Sequence, residues 1–207
     1  MATVVTDVTP GFLFCHYGPG APYLVEWTLS SGDQVEVRGR ADTASGPWVY
    51  VKYSPKFGKG PTLPCWVNPK FLQMSGNVSS LPPLYPDKAP LILYQNPAPP
   101  PPPPTEVATD RTGNLVAIAW KGYVLALGDR ESEGSPRFLV EAWTCINGQF
   151  VLSPIGVGTN LKAPDHTFVQ FSTQVQDDAG CSEPSHGQIY LAHKDGYVGP
   201  VAIIPWP

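Results

Sequence analysis

The sequence predicts an all-β protein of two small domains, and three observations carry that prediction. Its apolar residues come in short runs rich in Val, Ile, Tyr, Phe and Trp and cut by Gly, Pro, Asn and Asp. No segment carries the 3.6-residue period of an amphipathic helix. Between Gly76 and Glu106 fall 11 of the 26 prolines, ending in the unbroken run Pro99 to Pro104. Each proline fixes φ near −65° and removes a backbone donor, so this middle stretch is expected to hold neither helix nor sheet. The run itself predicts a polyproline II rod on the order of 19 Å long. The expected divisions are a β-prone arm over 1–9, a barrel over 10–75, a proline-rich linker over 76–106 and a sandwich over 107–207.

In the first half, Thr3 to Val8 reads as a weak strand. Phe12–Cys15, Tyr23–Trp27, Gln34–Arg38, Pro47–Val51, Leu63–Val67 and Phe71–Gln73 follow, with turns at Gly18–Pro22 and Ser31–Asp33. Strands this short at this spacing suit a small, partly open barrel. In the second half Val116, Ile118 and Trp120 alternate onto one face, and Phe138, Val140 and Ala142 lie opposite Glu141, Trp143 and Cys145, so the Glu141 face is expected to point outward. Ile146-Asn147-Gly148 is a hairpin signal leading into Gln149–Leu152. Thr167–Phe171, Gln188–Ala192 and Val201–Ile204 complete about seven strands, the count of a β-sandwich.

Charge argues against some partners. There are 13 basic and 17 acidic residues, a net charge of −4 and no Lys/Arg cluster, so neither a nucleic acid nor an anionic membrane surface finds a complement. No apolar stretch reaches the roughly 20 residues of a membrane span, and the opening Met-Ala-Thr-Val-Val lacks the charged start and apolar core of a signal peptide, so an exported chain would here be read in mature form.

The cysteines point outside the cell. Cys15 and Cys65 precede the linker, Cys145 and Cys181 follow it, and none has metal or redox spacing. Pairing within each half is the simplest scheme, worth roughly 4 kcal/mol per closed loop in the chain-entropy model, and implies an extracellular or cell-surface location. The alternative is four reduced, buried cysteines in a cytosolic protein. An Asn77-Val78-Ser79 sequon fits the same compartment.

Particular residues carry a resemblance. Cys15-x-x-Gly18-Pro19-Gly20-x-x-Tyr23, Gly32-x-x-Val35-x-Val37-x-Gly39-Arg40, Trp48-x-Tyr50-Val51 and Cys65-Trp66-Val67 resemble the bacterial SH3-like domain of exported and cell-wall proteins, over Phe12 to about Leu84. The basic residue with Ser or Asn usual before Gly-Pro-Gly is replaced by His16-Tyr17, and Ser54 to Thr62 reads as an insertion. The second half resembles a fibronectin type III-like domain, from an opening Pro-x-x-x-Val through Trp120 to Tyr190-x-Ala192, with the second cysteine pair as an addition.

No catalytic constellation emerges. His16, His166, His186 and His193 lack metal or nucleophile spacing, and Asp177-Asp178 lie in a Gly-, Ser- and Pro-rich loop, so the expectation is no enzyme, no metal and no cofactor. The aromatics are the better lead. Tyr17, Tyr23, Trp48 and Trp66 are candidates for a groove that binds extended peptide, with Trp143 a further candidate on the second domain; the alternative is that they only cover the disulfide and the barrel ends. Two functions follow: a non-catalytic extracellular module that engages a cell-wall, matrix or protein ligand, or a structural subunit that assembles with copies of itself through Val4 and Val5 of the arm and Ile203, Ile204 and Trp206 of the tail.

Overall fold

The computed structural model describes residues 1–6, 11–53, 63–84, 103–121, 137–158, 167–172, 180–193 and 197–206. The protein is all-β and divides into two compact units, Met1–Pro90 and Leu91–Pro207.

The first unit comprises β1 (Ala2–Val4), β2 (Phe12–His16), β3 (Val25–Ser30), β4 (Gln34–Thr43), β5 (Gly46–Tyr53), β6 (Leu63–Val67) and β7 (Leu72–Met74). They pair antiparallel in the order β7-β1-β4-β5-β6-β2-β3, and among the described residues the ladder does not close. Alternation builds the core: Ala2, Val4, Leu13, Cys15, Leu29, Val35, Val49, Val51, Cys65 and Val67 point inward together. Cys15 and Cys65 join there, Cα atoms 5.5 Å apart. A two-residue turn links β4 to β5, where the Thr43 hydroxyl donates to the Gly46 carbonyl and accepts from the Ser45 N–H. Pro69–Phe71 form a 3-10 turn just before β7, capped by the Asn68 side chain.

The N-terminal arm folds onto its own unit. Val4 donates to the Asp33 carbonyl and accepts from the Gly32 N–H, both at 2.8 Å, and Val5 donates to Phe71. Gly32 stands at φ 90°, a conformation that costs glycine nothing.

The Gly-Pro-Gly segment is a packing device. Tyr23 is buried with its ring over Gly18, where any Cβ would collide with the ring. The His16 imidazole Nδ1 lies 2.9 Å from the Tyr23 carbonyl, and the Tyr17 N–H donates to the Leu24 carbonyl at 3.1 Å, closing the loop between β2 and β3.

The second unit comprises β8 (Thr105–Thr112), β9 (Leu115–Lys121), β10 (Arg137–Ile146), β11 (Gln149–Gly158), β12 (Thr167–Ser172), β13 (His186–His193), β14 (Tyr197–Val198) and β15 (Ala202–Ile204). One sheet runs β12-β9-β8; in the other β10 lies between β11 and β13, and β14 and β15 both pair with β13. Val116, Ile118 and Trp120 of the first sheet meet Phe138, Val140, Ile189, Leu191 and Ile204 of the second in one core. The hairpin at Asn147-Gly148 forms as its sequence predicts, both residues at positive φ. Cys145 and Cys181 join with Cα atoms 6.1 Å apart.

The proline-rich segment departs from expectation at both ends. Val78–Ser80 form a 3-10 turn capped by Asn77, Pro83 bridges to Arg40, and β8 begins at Thr105, before the expected start of the second domain. The Asx cap and the backbone of Arg40 on β4 supply the bonds that prolines alone would not. Residues 85–102, with most of the polyproline run, lie outside the described residues.

Because Gly18 holds the space that the Tyr23 ring fills, Gly18→Ala is expected to destabilise the first unit by about 1–3 kcal/mol, the usual cost of overpacking. Urea unfolding followed by tryptophan fluorescence measures it, and an unchanged midpoint would show that the loop opens freely.

Candidate functional site

The expected groove residues are mostly interior. Tyr23, Trp48 and Trp66 are buried, and Tyr17 is half-buried. Strand parity is the reason. Val49, Val51, Cys65 and Val67 face the main core, so Trp48, Tyr50 and Trp66 fall on the opposite face of β5 and β6, where with Ala41 they form a second small cluster instead of an open trough. Tyr50 and Trp66 stand directly opposite in register, ring centroids 5.1 Å apart. Trp48 packs edge-on against His16 at 5.3 Å.

The open aromatic surface lies elsewhere. Phe12 and Phe14 are 47% and 55% exposed, on the outer face of β2, where they pair across the ladder with exposed Ser30 and Thr28 of β3; Val25, 40% exposed, lies at the far end of β3. Phe14 continues inward through an edge contact with His16 at 6.4 Å. The signal was present in the sequence: Leu13 and Cys15 must face in, so a period of two turns Phe12 and Phe14 out.

Trp143 is also buried. It stacks on His186 at 5.2 Å, while Phe150 meets the same imidazole edge-on at 5.5 Å, beside the Cys145–Cys181 bridge. The Ser185 hydroxyl accepts from the Cys145 N–H.

The Glu141 face is not outward. Leu139, Glu141, Trp143 and Cys145 are as buried as their inward neighbours, so β10 is covered on both faces. The carboxylate is tolerated because β13 answers it. Gln188, its direct cross-strand partner, donates through Nε2 at 2.5 Å, and Tyr190, two residues along on the same face, donates its hydroxyl at 2.9 Å. Burial above all, and then the Glu141 charge and hydrogen bond, push the Tyr190 phenol well above its ordinary pKa.

The assembly candidates divide. Val4 and Ile204 are buried in their own units and Trp206 is partly covered, whereas Val5 and Ile203 remain exposed. Among the described residues no His, Cys, Asp and Glu converge as a metal site, and no helix is long and apolar enough to cross a membrane. His166 and Asp177-Asp178 lie outside the described residues.

No protein-family model matches the chain, and no curated protein or solved structure matches it either.

A proton leaves folded Tyr190 only above the ordinary tyrosine range, so the stability it confers is complete below about pH 10 and drains away as pH rises from there toward the folded value. Tyr190→Phe is expected to cost about 1.5–3 kcal/mol at neutral pH, the worth of a hydrogen bond to a charged group, and to flatten the alkaline loss. Denaturant unfolding at pH 7 and across pH 9.5–11.5 checks both; a variant with the wild-type alkaline slope would remove Tyr190 as its origin.

Proposed function

We propose that the chain is a non-catalytic extracellular binding or adhesion module, an SH3-like barrel followed by a fibronectin type III-like sandwich, which engages a cell-wall, matrix or protein ligand through the outer face of β2 and β3. The observation that carries this reading is the pair Phe12 and Phe14, two large rings held in water on a rigid ladder. Rings on paired strands are preorganised, so a ligand that covers them gains apolar burial at little ordering cost.

Strand order supports the fold part by analogy. In the first unit a 3-10 turn precedes a last strand that pairs with the first, and in the second unit β12-β9-β8 and β11-β10-β13 share one core with β15 on the far edge. Fold analogy suggests a class of proteins, while the function rests on the site. The two disulfides suit an oxidising compartment. The alternative, a self-assembling subunit of an extracellular filament or surface layer, needs free ends, and the pairing of β1 and β15 within their own units weighs against it.

The test is cosedimentation with purified bacterial cell-wall sacculi and solid-phase binding to a panel of matrix proteins. Wild-type protein is expected to bind one of these surfaces, and Phe12→Ser with Phe14→Ser to weaken that binding at least about ten-fold while unfolding free energy changes by less than about 0.5 kcal/mol per site. Retention on none of them would end the adhesion reading; equal retention of the double variant would move the site off β2.

A further inference from the structure

The second aromatic cluster already has an occupant. Past β7 the segment Leu81-Pro82-Pro83-Leu84 lies parallel against β4: the Arg40 N–H donates to the Pro82 carbonyl at 3.0 Å, and the Leu84 N–H donates to the Arg40 carbonyl at 2.6 Å. The Leu84 side chain sits over Gly39, where a Cβ would collide with it and would lie 2.9 Å from the Pro82 carbonyl, and it packs against the cluster of Ala41, Trp48 and Trp66 with Tyr50.

Three features make this a seat with its own chemical preference. Its bonds to β4 use one carbonyl, from Pro82, and one N–H, from Leu84, while Pro83 contributes neither, so prolines at the first two positions cost the bridge nothing and hold the segment extended. A proline at the third position would remove the N–H that Arg40 accepts. The apolar side chain at that third position enters a space that exists because residue 39 is glycine. Indole and phenol faces beside a short, extended, proline-bearing segment form a recurring mode of peptide recognition.

We propose that Gly39, Arg40, Trp48, Tyr50 and Trp66 form a groove for extended Pro-Pro-Leu peptide, held closed by the chain's own residues 81–84 acting as an intramolecular competitor. The inference does not depend on the β2–β3 face. A tethered resident is present at an effective concentration on the order of millimolar, so a free peptide at micromolar concentration does not displace it from the intact protein. Release of the resident opens the groove and at the same time frees the root of the linker from the first unit.

The full-length protein tests this with a fluorescein-labelled peptide of residues 79–84, read by anisotropy, and with the exchange rate of the Arg40 amide, read by NMR. In wild type the amide is expected to be protected and the peptide to bind weakly. Leu84→Asp should expose the Arg40 amide and raise peptide affinity at least about ten-fold, because the competitor is gone while the seat remains. Gly39→Ala should expose the same amide yet bind the peptide no better than wild type, because the new methyl fills the seat. Leu84→Ala, which keeps the backbone groups, should fall between wild type and Leu84→Asp in both readouts and decides the matter should the aspartate unfold the unit. Peptide affinity equal in wild type and Leu84→Ala, or an Arg40 amide equally protected in both, would overturn the proposal and leave Leu84 as ordinary packing.

Discussion

Cys15 has to face inward to reach Cys65, and through the two-residue period of a strand that one requirement sorts most of the first unit. On β2 it takes Leu13 inward and turns Phe12 and Phe14 out. On β6 it takes Val67 inward and sends Trp66 to the other face; register then places Tyr50 opposite Trp66, and Gly39 opposite Tyr50. The same parity therefore creates two aromatic surfaces with different fates. The one over β4, β5 and β6 is covered by Leu84, and the one on β2 stays in water. His16 follows the same parity: it stands across from Trp66 on that second face and packs against Trp48, past a register shift between Cys15 and His16 in the β2–β3 ladder.

In the second unit the governing constraint is electrostatic. A carboxylate buried on β10 is costly unless both oxygens accept hydrogen bonds, and the antiparallel register brings Gln188 and Tyr190 to the same face to supply them. An apolar replacement of similar volume would satisfy burial equally well but would not specify which residues of β13 stand against Glu141. A one-residue slip would carry Gln188 and Tyr190 to the opposite face and leave the charge without those donors, so the triad contributes more to register than to net stability.

How much of this was legible follows from which rule governed each residue. Alternation and disulfide arithmetic are local and robust, so the all-β class, the cysteine pairs, the Asn147-Gly148 hairpin and the inward set Val116, Ile118 and Trp120 could be read directly. Glu141 was misread because a charged residue in an alternating strand is the ordinary sign of the wet face, and only its cross-strand partners, more than forty positions away, reverse that. The burial of Tyr23, Trp48 and Trp66 could not be read because aromatic content reveals that a second apolar surface exists but not what lies on it. The cover at Leu84 was hidden by its proline-rich context, which reads as linker although two backbone bonds to Arg40 are enough to hold it.

The chain ends carry the remaining step. A β-prone arm and an apolar tail are the usual material of strand exchange, and sheet edges invite it. Here each end has its edge at home. Val4 and Val5 make three backbone bonds to the β3–β4 turn and Phe71, and Ile204 enters the core beside β13. Each bond is worth about 0.5–1.5 kcal/mol net, and the burial of Val4 and Ile204 adds to that, so a copy seeking to exchange an arm must first undo an equal set of contacts. Exchange of identical contacts leaves only the entropy of association, which is unfavourable. Assembly through the ends would therefore have to come from surfaces still open when the ends are docked, and exposed Ile203 on β15 is one such residue.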